Sequence, residues 1–81
     1  MNIKEKLMKL EGEIFYTKTG KAYTYKFISE NAIVTSRTNY PLHISNFEKA
    51  ICLSPTTPSQ ITNKVRGSSY VFGIITDKRF N

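Results

Sequence analysis

The residues best suited to chemistry lie in the last third of the chain, where cations and small polar side chains surround Gly67. Ile61 and Val65 precede this glycine, and Phe72 and Ile75 follow it, with the spacing of two short helices that cross. A helix-turn-helix motif needs such an apolar crossing, a sharp turn, and small polar residues at the start of its second helix. The pattern therefore predicts a surface that reads DNA.

The predicted contacts with nucleic acid follow from this interpretation. Polar residues at the start of the second helix would face base edges and sugar-phosphate, and cations at the rim would contact phosphates. The set consists of Ser68, Ser69 and Tyr70 in the groove, with Lys64, Arg66, Lys78 and Arg79 at the rim. Two features count against the motif, because its glycine falls one residue late and Gly73 leaves a gap on the reading face. The alternative, two helices that only pack on a sheet, fits the pattern slightly better.

Two further routes to an anionic ligand are open. Residues 66–70 could form an anion-binding turn, because free backbone N–H groups at a helix start attract phosphate. Such a turn would suit DNA or a small phosphorylated ligand equally. Tyr16, Tyr23 and Tyr25 interleave with cations, and single-stranded bases could stack on the sheet if Tyr23, Tyr25 and Phe27 faced solvent. The interleaved cations are Lys18, Lys21, Lys26 and Arg37. The favoured alternative is that this aromatic row covers the helices.

Catalysis is not expected from the reactive side chains. His43 is the only histidine, Cys52 is the only cysteine, and the six carboxylates are scattered along the chain. General acid–base chemistry and metal binding both require such groups to be brought together. The four glycines are isolated, so they form no phosphate-binding loop of recognised spacing. We therefore expect no enzyme, no metal and no cofactor.

The composition indicates one small basic domain over residues 1–81. Twelve Lys and Arg residues against six Asp and Glu residues give a net charge of +6. A field of this sign suits polyanionic partners, and nucleic acid is the first of these. The main alternative is a protein-interaction module, such as a small inhibitor or adaptor of a larger enzyme.

The cellular location is predicted from cysteine usage and hydropathy. A single cysteine permits no intrachain disulfide, which fits a reducing compartment. The first thirteen residues lack an apolar core of signal-peptide length, and the longest apolar run, 70–75, is far too short to span a membrane. A cytoplasmic protein without membrane contact is expected, and the sequence leaves its oligomeric state open.

The helices and strands that must position these residues are predicted from the sequence, and together they indicate an α+β fold. An amphipathic helix is predicted over 2–10, with Asn2 as its cap. Three strands follow over 13–18, 22–28 and 32–37, and their alternating pattern predicts an antiparallel meander. Gly20 provides the turn between the first two strands.

Two helix starts lie beyond the strands. Residues 45–48, SNFE, have the Ser-x-x-Glu form of a capping box, and this helix should stop before Pro55. Residues 57–60, TPSQ, repeat the signal with Gln, and that helix should end at Gly67. The last segment, 68–80, suits a strand by propensity and a helix by its apolar stripe, and we favour the helix. The predicted fold is thus a three-stranded antiparallel meander packed with two or three short helices, with a C-terminal helix-turn-helix as one option.

Overall fold

The structure is a computed structural model that describes residues 2–80. Within them, three α-helices accompany two small antiparallel sheets. The elements in chain order are α1 (Ile3–Lys9), β1 (Phe15–Tyr16), β2 (Ala22–Tyr23), β3 (Tyr25–Ser29), β4 (Ala32–Thr35), β5 (Leu42–His43), α2 (Ile44–Leu53), a 3₁₀ turn (Pro58–Ile61) and α3 (Ser68–Ile75). One sheet has the order β1-β2 and the other β3-β4-β5. The predicted α+β class with a three-stranded antiparallel sheet is therefore confirmed.

The three-stranded sheet is formed by β3, β4 and β5, whereas the sequence predicted a sheet of residues 13–18, 22–28 and 32–37. The predicted strand 22–28 is interrupted at Thr24, whose N–H donates to Ser36 Oγ at 3.1 Å and whose carbonyl accepts from Ser36 N–H at 2.8 Å. The chain thereby passes from one sheet to the other. The third strand of the meander is β5, which is only two residues long and carries no readable periodicity.

The first helix begins as predicted, whereas the second does not. Asn2 Oδ1 accepts from Glu5 N–H at 2.8 Å, so the cap of α1 is confirmed. The predicted capping box at Ser45 is wrong, because α2 begins at Ile44 and its flanking residue, His43, makes no side-chain cap. Strand β5 runs directly into this helix, and Ile44 N–H donates to the Asn31 carbonyl at 2.9 Å. That bond satisfies a donor at the helix start that a cap would otherwise serve.

The segment before α3 is a turn and not a helix. Residues 58–61 form a single 3₁₀ turn, and Gln60 Oε1 reaches back to Thr56 N–H at 2.6 Å. The predicted α-helix ending at Gly67 is therefore wrong, and so is the first half of the helix-turn-helix. Gly67 instead precedes α3 with a left-handed φ of 67°, and an added Cβ would lie 2.6 Å from Leu42 Cδ2. The favoured interpretation of residues 68–75 as helix is confirmed.

A single cluster of buried side chains draws on every helix and both sheets. Tyr23 and Tyr25 lie in it, each 2% exposed, so the hypothesis that these two rings stack bases is wrong. Their hydroxyls donate to the carbonyls of Tyr70 and Leu7 at 2.7 and 2.5 Å. Burial raises the pKa of both tyrosines well above the ordinary value, since the phenolate would be desolvated.

The outer edge of β3 is partly satisfied within the chain. Along β3, Gly12 N–H donates to the Tyr25 carbonyl at 3.2 Å, and Phe27 N–H donates to Glu11 Oε2 at 2.7 Å. These bonds occupy the positions at which an added strand would pair. No helix within residues 2–80 combines the length and apolar character that crossing a bilayer requires.

Candidate nucleic-acid interface

The face of α3 that was predicted to read DNA is covered by the β1–β2 hairpin. Tyr70 is half-buried, and its ring meets the Tyr23 ring edge-on with centroids 5.1 Å apart. A Cβ added at Gly73 would lie 2.7 Å from the Tyr16 carbonyl oxygen, so β1 lies directly against the helix. Tyr70 is therefore a packing residue, and the helix has no open reading face on this side.

Ser68 and Ser69 differ in their surroundings at the start of α3. Ser68 is half-buried, and its Oγ lies 3.3 Å from Thr62 Oγ1. Ser69 is exposed and borders a cleft of about 430 Å³ between the β1–β2 turn and the 3₁₀ turn. The cleft is lined by six hydroxyl side chains, one cation and one proline: Thr17, Thr19, Thr57, Ser59, Thr62, Ser69, Lys18 and Pro58.

Lys78 and Arg79 lie beyond the other end of α3, away from Lys64 and Arg66. An eight-residue helix rises about 12 Å, so these two pairs of cations do not form one rim around the helix start. Lys78 is exposed, and among residues 2–80 it forms no ion pair. The two pairs of cations lie toward opposite ends of α3, so a shared contact of all four with nucleic acid stays a prediction.

Arg79 has a structural role. Its Nη2 donates to the Ile14 carbonyl at 2.6 Å, its Nε donates to Asp77 Oδ1 at 3.0 Å, and its guanidinium lies 4.4 Å from the Phe15 ring centroid. The hydrogen bond from Arg79 lowers the pKa of Asp77, and the same bond raises the pKa of Arg79. A weaker contact of 3.7 Å joins the guanidinium to Glu13. These contacts tie the chain after α3 to β1 and leave the guanidinium poorly available to a ligand.

A different basic surface emerges where three connecting segments, 17–22, 36–41 and 57–69, touch one another. Segments 17–22 and 57–69 share the hydroxyl-lined cleft. Segments 17–22 and 36–41 are joined by Arg37, whose Nε donates to the Ala22 carbonyl at 2.7 Å. The three segments therefore form a continuous surface, although they are far apart in sequence.

The third contact joins segments 36–41 and 57–69. The guanidinium of Arg66 lies 4.2 Å from the centroid of the Tyr40 ring, which is a cation–π distance. Tyr40 is itself half-buried and packed against the core. Arg66 is thus held over a fixed ring at the border of the two segments.

Charge is distributed unevenly between this surface and the rest of the chain. The three segments carry five of the twelve cations and none of the six acidic residues, whereas the remainder carries seven cations and six acidic residues. All five cations are exposed: Lys18, Lys21, Arg37, Lys64 and Arg66. We call this surface, formed by residues 17–22, 36–41 and 57–69, the acid-free face. Almost all of the net positive charge resides there.

Two arginines on the acid-free face are oriented without being neutralised. Arg37 is held through its Nε, and Arg66 through the flat face of its guanidinium. Among residues 2–80, no side chain or carbonyl accepts a hydrogen bond from the terminal nitrogens of either one. Each therefore presents donors toward solvent in a restrained geometry, which is the arrangement that suits a bidentate oxyanion.

Sequence reasoning found two members of this face, Lys64 and Arg66, and missed Lys18, Lys21 and Arg37 as their partners. The signal that could have found them is the absence of Asp and Glu from all three segments. Their contact depends on the fold, because the hairpin turn and the 36–41 loop are brought to α3 only by tertiary packing.

The described part of the chain brings together no group of three His, Cys, Asp or Glu side chains that could hold a metal ion. Comparisons of the chain with protein-family models, with curated proteins and with solved structures find no match.

Proposed function

We propose that this protein is a small, non-catalytic nucleic-acid-binding module that contacts its ligand through the acid-free face. The observation that carries the proposal is the concentration of five exposed cations, without any acidic residue, on three segments in mutual contact. Neutralisation of phosphates by Lys and Arg supplies most of the affinity of such proteins. DNA is the first ligand to test.

The arginine, lysine and hydroxyl side chains of the acid-free face would make different kinds of contact with nucleic acid. Arg37 and Arg66 would donate bidentate hydrogen bonds to phosphate, because their orientation is already restrained. Lys18, Lys21 and Lys64 would act as mobile point charges along the backbone. The hydroxyls of the cleft would donate to phosphate or sugar oxygens, a common form of contact that carries no sequence information.

The test compares two triple variants that lose the same charge. The first is Lys18→Gln, Lys64→Gln and Arg66→Gln on the acid-free face, and the matched control is Lys9→Gln, Lys26→Gln and Lys49→Gln, all exposed and outside it. Binding to labelled DNA is measured by fluorescence polarisation over a range of salt concentrations.

The parent should bind at low salt, with an affinity that falls steeply as salt rises. Loss of three phosphate contacts should reduce the magnitude of the log–log salt slope by about 2 to 3 in the first variant. The control variant should change the slope by less than half that amount. Equal effects of the two variants would remove the acid-free face from the proposal, and no binding by the parent at low salt would end it.

The proposal includes a cytoplasmic location, since the single cysteine, Cys52, has no intrachain partner with which to form a disulfide.

A second candidate, a protein-interaction module, is favoured by one apolar feature. Met8 is 57% exposed and borders a cleft of about 510 Å³ together with Phe27. Glu11 and Glu30 also line this cleft, so it would suit an apolar side chain flanked by a basic residue. Retention of a protein partner from nuclease-treated lysate, and its loss on Met8→Asp but not on the acid-free-face substitutions, would support this candidate over the first.

A further inference from the structure

Tyr16 is the one aromatic residue of the described chain with a largely exposed side chain. It is 59% exposed, whereas the other nine Phe and Tyr residues are buried or half-buried. No aromatic ring or cation within residues 2–80 stacks on it. Its exposed ring therefore offers a free π-face on which a base could stack.

The neighbours of Tyr16 leave its ring accessible. Its cross-strand partner is Ala22, and the next pair, Thr17 with Lys21, is joined by a hydrogen bond from Thr17 N–H to the Lys21 carbonyl at 2.9 Å. Tyr16 and Ala22 therefore form a non-hydrogen-bonded pair, in which side chains stand close together. The side chain directly opposite the ring is therefore only a methyl group.

The ring stands at the border of the acid-free face. Lys18 lies two residues further along the chain, and Lys21 adjoins the partner residue Ala22. The Ala22 carbonyl also accepts the hydrogen bond that orients Arg37. Lys18 follows Tyr16 at the spacing of residues on one face of a strand, and Arg37 of the 36–41 loop is held at the cross-strand partner of the ring.

The backbone beneath the ring is firmly supported. Phe15, the preceding residue, is completely buried in the core. The Tyr16 carbonyl lies against α3 at Gly73, where the absence of a Cβ permits the close approach. The platform that carries the ring is therefore fixed by packing on its inner side, and little conformational freedom remains to be lost on binding.

We propose that the ligand of the acid-free face is a single-stranded nucleic acid, with one base stacked on the Tyr16 ring and neighbouring phosphates at Lys18 and Arg37. This inference rests on the proposed function and narrows it. Aromatic platforms beside a basic track are the common means of holding single strands. Duplex recognition by α3 is disfavoured, because its Tyr70 and Gly73 face is covered by the hairpin.

The experiment compares a labelled 12-nucleotide thymidine oligomer with a 12-base-pair duplex at one salt concentration and then across a salt series. The variants are Tyr16→Ala, Tyr16→Phe and, as the control for removal of an exposed apolar side chain, Ile28→Ala, which is 52% exposed on β3. Circular dichroism and thermal unfolding of each variant establish that the fold is retained.

The parent should prefer the single strand. Tyr16→Ala should weaken its binding about 5- to 100-fold, the range measured for loss of one base stack. Tyr16→Phe should bind like the parent, since stacking requires the ring and not the hydroxyl, and Ile28→Ala should have no effect. The salt slope of Tyr16→Ala should remain that of the parent, because no phosphate contact is removed.

Failure of this inference is distinguishable from failure of the proposed function. A parent that prefers the duplex, or a Tyr16→Ala variant that binds the single strand unchanged, overturns the stacking proposal. If the triple acid-free-face variant still loses binding in that case, the wider function stands. Absence of binding to either polymer at low salt overturns both.

Discussion

Replacement of Gly73 by alanine should destabilise this protein, although the same substitution stabilises an ordinary helix interior by about 1 kcal/mol. The new Cβ would lie 2.5 Å from the Tyr23 hydroxyl oxygen and 2.7 Å from the Tyr16 carbonyl oxygen. Both distances are shorter than a carbon–oxygen contact tolerates, so either the hairpin or the helix must shift.

The size of the expected stability loss depends on which atoms must move to make room for the new Cβ. The Tyr16 carbonyl belongs to the backbone of β1 and cannot rotate away, and overpacking of this kind costs about 1 to 3 kcal/mol. Displacement of the Tyr23 hydroxyl would also weaken its 2.7 Å hydrogen bond to the Tyr70 carbonyl. An unsatisfied buried donor adds about 1 to 3 kcal/mol. After the gain in helix propensity, the net loss should be about 1 to 5 kcal/mol.

Urea denaturation and thermal unfolding measure this loss directly. For a chain of this size, each 1 kcal/mol lowers the melting temperature by about 4 to 8 °C. Ser69→Ala, an exposed position on the same helix, is the control and should change stability by less than about 0.5 kcal/mol. In a Tyr23→Phe background, Gly73→Ala should cost less, because the hydroxyl contact is gone while the carbonyl contact remains.

A Gly73→Ala variant that is as stable as the parent, or more stable, would refute the reasoning. It would mean that β1 does not lie against α3 and that the face bearing Tyr70 and Gly73 is open. The helix could then enter a groove, and the choice of a single strand over a duplex would lose one of its supports.

Two further predictions concern the backbone and pH. Gly67→Ala should destabilise the protein by more than Gly20→Ala does; both glycines have positive φ, but only at Gly67 would the Cβ meet another side chain, that of Leu42. Equal losses in urea denaturation would contradict the steric argument. The contribution of Tyr23 and Tyr25 to the free energy of unfolding should be fully present below pH 10 and should fall at higher pH. In the unfolded state both tyrosines ionise near their ordinary pKa, whereas burial raises their pKa in the folded state. Each tyrosine should contribute a slope of about 1.4 kcal/mol per pH unit, and an unchanged slope in Tyr23→Phe would contradict this.

Local signals in the sequence were reliable where the responsible groups are neighbours in the chain. The Asn2 cap and the Gly20 turn depend on contacts within four residues, and both are present. The inward orientation of Tyr23 and Tyr25 follows from period-two alternation, which is also local.

Predictions failed where a distant partner decides the outcome. The break at Thr24 depends on Ser36, twelve residues away, and the start of α2 at Ile44 depends on the Asn31 carbonyl. A TPSQ segment contains the residues of a helix start, but the turn of residues 58–61 ends after four residues. Tertiary contacts override such short-range signals, since a short helix gains most of its stability from packing.

Arg66 and Arg79 show why sequence proximity alone cannot assign a binding role. Both lie close to α3, and the residue type is identical, so their sequence context predicts the same contact with phosphate. The structure gives Arg79 a carboxylate at Asp77 and a carbonyl at Ile14, which occupy its Nε and Nη2 donors, and packs its guanidinium on the Phe15 ring. Within residues 2–80, Arg66 contacts only the ring of Tyr40, which orients the guanidinium without consuming a hydrogen bond. A ligand that binds Arg79 must replace contacts that stabilise the fold, whereas one that binds Arg66 replaces water. Arg66 and Arg79 carry the same charge, but binding a ligand at Arg66 costs less free energy. For this reason the proposed interface lies at one end of α3 and not around it.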